Sequence, residues 1–180
     1  MPQSDSPDPG LVKIGVTIDI PEPFGAELRQ RRLQFGDHRA ETVPAHITIV
    51  PPCEIPEASW PGVRERIIAT ADQTSPFTVQ LRGTGTFRPV SPVVFVAIAR
   101  GIADCQLLSA ELRQDVLDQP LGFPYHPHVT IAQELDEERL DIAFDALADF
   151  DLTFMVHGFG VYLHDQTGEW QLQDSVPFGP

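Results

Sequence analysis

His126-Pro127-His128-Val129-Thr130-Ile131 contains a four-residue pattern, His-x-Thr-x, that the chain states twice; the other copy is His46-Ile47-Thr48-Ile49. Both copies sit in short, β-branched runs with a period of two, which predicts strands. On a strand, residues i and i+2 share a face. Each copy therefore projects an imidazole and a hydroxyl side by side, and turns Ile47, Ile49, Val129 and Ile131 the other way.

The two copies occupy equivalent places in an internal repeat. Val12 precedes His46 by 34 residues, and Val93 precedes His128 by 35. Val12–Ile20 alternates as a strand with one buried face. Pro21–Gly36 carries a helical pattern with Phe24 and Leu28 on one side. Gly36–Pro44 reads as a polar loop holding His38 and Arg39, and the first motif strand, Ala45–Val50, should stop at Pro51-Pro52. A helix is expected over Pro56–Ala71, with Trp60, Val63 and Ile67 in one stripe, and a strand over Phe77–Phe87. Pro89–Pro92 is the internal joint, after which the order restarts. A strand is expected at Val93–Ala99 and a helix at Ile102–Leu117, with Leu108, Leu112 and Val116 in a row. A Pro/Gly-rich turn at Gln119–Pro124 follows, then the second motif strand at Pro127–Gln133. An acidic helix at Asp136–Ala148, a strand at Leu152–Tyr162, a turn at Asp165–Gly168 and a strand near Trp170–Leu172 complete the chain.

A second correspondence is independent of the histidines. Phe77-Thr78-Val79-Gln80-Leu81-Arg82-Gly83-Thr84-Gly85-Thr86-Phe87 lies over Leu152-Thr153-Phe154-Met155-Val156-His157-Gly158-Phe159-Gly160-Val161-Tyr162. Both stretches keep Thr at the second place, a basic or imidazole residue before Gly-x-Gly, and an aromatic at the end. The paired glycines predict a bend or a close backbone approach. Together these features predict an α+β, bilobal protein. Its two pseudo-symmetric halves, about 11–90 and 91–175, should form antiparallel-rich sheets that line a central cleft, with helices on the outer faces. Residues 11–180 are expected to be a single domain after a disordered tail at 1–10.

The net charge of −14 and pI of about 4.6 argue against a broad surface for duplex nucleic acid, and mildly favour small substrates over long RNA. Lys13 is the sole lysine. Cys53 and Cys105 fit no metal or redox spacing, and are expected as buried free thiols in a reducing compartment. The N-terminal stretch has no apolar run of the kind a signal peptide or membrane anchor needs. A cytoplasmic monomer is expected.

Two facing His/Thr pairs supply an acid, a base and two hydroxyls able to hold a phosphate. Hydrolysing a phosphodiester without metal needs one neutral and one charged imidazole, which predicts a bell-shaped pH dependence. The phosphoryl oxygens need donors that stay in place as charge moves, and Thr48 and Thr130 have the correct offset.

This arrangement resembles the 2H phosphoesterase superfamily, in particular the bacterial 2′-5′ RNA ligase-like proteins. The resemblance rests on the two tetrads, on Pro127 and Tyr125 ahead of His128, and on the duplicated layout from about Val12 to Leu172. It implies a bilobal fold and metal-independent, cofactor-free chemistry on a nucleotide or RNA terminus. The usual activity is opening of a 2′,3′-cyclic phosphate to a 2′-phosphate. Some members instead ligate or cleave 2′-5′ linkages, or act on cyclic phosphates of nucleotide-like small molecules. By the resemblance His46 and His128 are catalytic, and Thr48 and Thr130 hold the phosphate. His46 as acid and His128 as base is the arrangement leaned towards, although the sequence leaves the two roles interchangeable.

Other residues carry weaker expectations. Arg82 and His157 hold equivalent repeat positions and are candidates to keep the cleft positive, against a reading as solvated strand ends. Arg88 is a candidate at the cleft mouth. Tyr125 either stacks on a base or packs beside the turn. His126 with His128 forms His-x-His, a pattern two metal ligands can use, but Pro44 takes the place of His126 in the first half and no third ligand has suitable spacing, so no metal is expected. His38 and Arg39 lie in the loop before the first motif, where a lid would sit, and read as surface loop residues; His164 reads as a residue of the final hairpin turn. Besides the enzyme, a binding module that recognises a nucleotide or RNA end without turnover fits the same cleft, as does a metal enzyme built on His126 and His128.

Overall fold

The structure, a computed structural model, describes residues 10–165 and 168–180. Apart from Gly10, the tail expected at 1–10 lies outside the described residues, as do two positions of the turn expected at Asp165–Gly168. Eight strands and four helices follow in the order β1 (Leu11–Asp19), α1 (Phe24–Gln34), β2 (His46–Pro56), α2 (Trp60–Asp72), β3 (Phe77–Thr86), β4 (Val93–Arg100), α3 (Ile102–Leu112), β5 (His128–Gln133), α4 (Glu137–Ala146), β6 (Asp151–Val156), β7 (Gly158–His164) and β8 (Trp170–Pro177). The protein is α+β, as its alternating strand and helix patterns require.

Two four-stranded antiparallel sheets form, in the orders β2-β1-β7-β8 and β5-β4-β3-β6. Each sheet draws strands from both halves of the sequence repeat. β3, from the first half, lies in the sheet of β4 and β5; β7, from the second half, lies beside β1. The joint near Pro89 is accordingly a connection within one sheet. The helices interlock in the same way, α1 packing against β5 and α3 against β2. One continuous core runs through both sheets. The inward row of each motif strand, Ile47, Ile49, Val129 and Ile131, is completely buried. Each such aliphatic side chain contributes about 1.5–3 kcal/mol by leaving water, and that burial fixes which face of the strand His46, Thr48, His128 and Thr130 must occupy.

Several sequence expectations need correction. Pro51-Pro52 does not end the motif strand, which continues to Pro56. β2 is an edge strand, and its pairing with β1 shifts register between Ile14 and Val16, so the prolines fall at a bulge where the missing N–H groups cost no ladder bond. The helix expected to reach Leu117 stops at Leu112, and a 3-10 turn, Asp115–Leu117, buries Leu117 and leaves Val116 exposed. The polar loop before β2 contains a 3-10 turn, His38–Glu41, with Asp37 and Ala40 buried. The strand expected over Leu152–Tyr162 is two strands in different sheets, β6 and β7, divided at His157. The last strand runs on to Pro177.

The Gly-x-Gly repeats have a steric reason. Gly85 lies opposite Phe95 and Gly160 opposite Thr17. A Cβ at Gly85 would come within 2.5 Å of the Phe95 ring, and one at Gly160 within 2.6 Å of the Tyr162 ring. Both glycines make room for side chains that crowd the motif strands. Cys53 and Cys105 are buried free thiols, and burial pushes the Cys105 thiol up to about 12. No helix among the described residues is long and apolar enough to cross a membrane.

Candidate active site

The motif strands are the outer strands of their sheets, and they adjoin one another. Register places Thr17 opposite Thr48 and Asp19 opposite His46 on β1 and β2. On β4 and β5 it places Phe95 opposite Thr130 and Ala97 opposite His128. Directly opposite residues of an antiparallel pair share a face, so each motif has its own cross-strand wall.

The two imidazoles are held alike. His46 Nδ1 lies 2.8 Å from the Pro44 carbonyl oxygen, and His128 Nδ1 lies 2.7 Å from the His126 carbonyl oxygen. A carbonyl can only accept, so Nδ1 carries the hydrogen in both rings and, in a neutral ring, Nε2 carries the lone pair. His126 and Pro44 are therefore equivalent through their carbonyls, which explains why the side chains there need not match.

Burial is the largest influence on both rings and lowers both pKa values. For His46 the Pro44 carbonyl then opposes the shift, the Arg32 charge adds to it and the Asp19 carboxylate opposes it. For His128 the His126 carbonyl opposes it, while the charges of His126 and His46 add to it. That last effect means each imidazolium is felt by the other, so protonating one disfavours protonating its partner.

A cleft of about 360 Å³ is lined by His46, Thr48 and Thr130, together with Arg32, Arg39, Tyr162 and Trp170. His128, two residues before Thr130 on the same strand face, packs against the Phe87 and Phe95 rings, with centroids 4.9 and 5.1 Å away. Arg32 forms a buried ion pair with Asp37 at 2.7 Å. Arg39 pairs with Glu134 and approaches the Gln133 carbonyl at 3.5 Å, joining the turn before β2 to the end of β5.

Arg82, His157, Arg88 and Tyr125 do not line this cleft. Arg82 is exposed near Asp151 (3.8 Å), because its part of β3 pairs with β6, on the side of the sheet away from β5. His157 lies at the crossing between sheets and borders a separate concavity with Asp19 and Ser175. Arg88 donates to Glu137 at 2.6 Å and Asp141 at 2.9 Å on α4. Tyr125 donates its hydroxyl to the Thr48 carbonyl at 2.8 Å. His38 is exposed beside Glu41, His164 is buried against Trp170, and His126 is exposed. Among the described residues no group of three His, Cys, Asp or Glu side chains is placed to hold a metal ion.

Arg32, Arg39, Tyr162 and Trp170 line the cleft and Asp19 stands opposite His46; the sequence did not single out any of them for the site. For Tyr162 a signal existed, since the repeat aligns it with Phe87, which packs on His128. Asp19 also had one, as the next residue after Thr17 on the same face of β1.

A family model described as the 2′-5′ RNA ligase superfamily matches residues 20–168. A Bacillus cytotoxicus protein that bears a provisional phosphoesterase name is 26% identical over 170 residues, covering 93% of this chain and 98% of that one. Among solved structures, a Thermus thermophilus protein superposes with a TM-score of 0.67 at 21% identity, over 92% of this chain and 97% of its own. E. coli LigT complexed with 3′-AMP superposes with a TM-score of 0.65 at 18% identity, over 94% and 99%. These likenesses extend the same α+β architecture over almost the whole described chain.

Proposed function

Since the chain belongs to the 2′-5′ RNA ligase superfamily, we propose that it is a metal-independent phosphodiesterase that opens 2′,3′-cyclic phosphates of RNA ends or nucleotide-like molecules by acid–base catalysis between His46 and His128. The observation that carries this reading is the matched anchoring of the two imidazoles. Each Nδ1–H is committed to a carbonyl two residues upstream, which leaves Nε2 for proton transfer. Relatives with phosphoesterase names and LigT structures complexed with 3′-AMP, ATP and NADP+ support a nucleotide-type substrate.

In this mechanism neutral His128 takes a proton from water at Nε2 as the water oxygen attacks phosphorus. The bond from phosphorus to the 3′-oxygen breaks, and His46 gives its Nε2 proton to that oxygen, leaving a 2′-phosphate. Thr48 and Thr130 donate to the non-bridging oxygens, where charge builds in the transition state. A 5′-hydroxyl in place of water would make a 2′-5′ linkage by the same two proton transfers.

The test is hydrolysis of 2′,3′-cyclic nucleotides in the presence of EDTA. Wild type should turn over, and His46→Ala and His128→Ala should each lose roughly 10²–10⁴-fold in kcat, the range for one general acid or base. Binding without turnover, or activity abolished by EDTA and restored by a metal, would replace this reading.

A further inference from the structure

The two halves of the site share one plan but are walled differently. Opposite His46 stands Asp19, whose carboxylate accepts from Tyr162 Oη at 3.0 and 3.3 Å and from Thr17 Oγ1 at 3.3 Å. Opposite His128 stands Ala97. Phe87, the repeat counterpart of Tyr162, sets its ring edge-on to His128 at 87°. One imidazole thus faces a carboxylate with a phenol behind it, and the other faces a methyl group and a phenyl ring. The anchoring of Nδ1, in contrast, is the same on both sides.

We propose that Asp19, held in place by Tyr162, is the positioning residue that breaks the equivalence of the two imidazoles, so that His46 carries the proton destined for the leaving oxygen and His128 remains the neutral base. This inference rests on the acid–base reading above.

The other charged groups around the pair do not undo it. Arg32, on α1, opposes protonation of His46 more strongly than Asp19 favours it when each is taken alone. But Arg32 is ion-paired with buried Asp37 at 2.7 Å, and such a pair presents little net charge to a third group. Arg39, which lines the same cleft, is paired with Glu134. Asp19 has hydroxyl partners, which fix a carboxylate without cancelling its charge, and no salt bridge engages it among the described residues. Burial and the adjacent Asp19 carboxylate push the Tyr162 phenol up to about 12, so it remains a donor throughout the working pH range. Around His128 the facing charges are His126 and His46. Both are cationic when protonated, and both favour a neutral His128.

The experiment is an NMR titration of the histidine ring protons of the full chain without substrate, so its readout does not depend on turnover. In wild type His46 should titrate above His128. Asp19→Asn, an isosteric change at an exposed position, should lower the His46 midpoint by about half a unit to one unit and leave His128 nearly in place. Tyr162→Phe should move His46 in the same direction by less. Ala97→Asp should raise His128. In the pH profile of kcat/KM, Asp19→Asn should shift the alkaline limb, which reports the acid, towards lower pH. His46 titrating below His128, or an unmoved His46 in Asp19→Asn, overturns the proposal. If both histidines are needed for turnover but Asp19→Asn leaves the titrations and profile unchanged, the inference falls and the catalytic reading stands. If the titrations behave as stated and no cyclic phosphate is opened, the catalytic reading falls.

Discussion

Tyr125 and Thr48 are joined across the two motif strands: the Tyr125 hydroxyl donates to the Thr48 main-chain carbonyl at 2.8 Å. The bond ties the lead-in to β5 to the first residues of β2, and so ties the placement of one His/Thr pair to the other. Burial pushes the phenol well above its ordinary value, so it is a permanent donor. Tyr125→Phe removes the donor and keeps the ring. It should cost about 1–2 kcal/mol, as expected when a partly buried carbonyl loses its partner. Urea denaturation reads this directly. Because the hydroxyl is committed to the backbone, the substitution should not alter base preference, and a changed ranking among the four cyclic nucleotides would show that Tyr125 contacts the base.

Burial lowers the pKa values of both imidazoles, and the proposed reaction needs one protonated and one neutral. The singly protonated pair is therefore most populated below the ordinary histidine value of about 6.5. The kcat/KM profile, which reports the free enzyme, should be bell-shaped with its maximum below that pH. A bound phosphoryl anion stabilises imidazolium, so the kcat profile should lie at higher pH than the kcat/KM profile. The same shifts affect stability. Because the folded state disfavours the charged rings, the unfolded chain binds more protons as pH falls through about 6.5, and stability drops until the folded-state values are passed. Replacing both histidines with Gln should flatten that part of the stability curve.

Thr48→Val and Thr130→Val keep shape and strand propensity and remove one hydroxyl each. If these hydroxyls bind the non-bridging oxygens as charge develops, each change should lower kcat roughly 10²–10³-fold with a smaller change in KM. Far-UV circular dichroism and urea midpoints should stay near wild type, since both positions are only half-buried.

Much of this layout was legible in the sequence because two simple periods carry it. Alternation fixed the faces of β2 and β5, and with them the side on which His46, Thr48, His128 and Thr130 emerge. The helical stripes through Val63–Ile67 and Leu108–Leu112 were equally readable. What was not legible depends on pairing partners. The apolar positions change phase at His157, Leu152, Phe154 and Val156 giving way to Phe159 and Val161, but only the pairing partners show that the chain changes sheets there. Pro51-Pro52 reads as a stop unless β2 is known to be an edge strand. Arg32 and Arg39 enter the cleft through ion pairs with Asp37 and Glu134, and Arg39 is 95 residues from Glu134. No local pattern encodes such a contact.

Gly85 and Gly160 hold equivalent places in the repeat but should respond differently to alanine. At Gly85 the added Cβ meets the Phe95 ring at 2.5 Å. Phe95 is nearly buried and packs against Phe87, at 4.5 Å between centroids, and against His128. With nowhere to go, it should make Gly85→Ala cost about 1–3 kcal/mol, the usual penalty for overpacking, and disturb the surroundings of His128. At Gly160 the Cβ meets the far edge of the Tyr162 ring at 2.6 Å and Leu172 at 3.2 Å. Tyr162 borders the cleft and Leu172 is exposed, so both can move aside. Gly160→Ala should then leave the unfolding midpoint close to wild type while carrying the Tyr162 hydroxyl away from Asp19. Its pH profile should approach that of Tyr162→Phe. A large loss of stability at Gly160, with the profile unchanged, would mean that the ring is fixed by packing and that its hydroxyl has no bearing on His46.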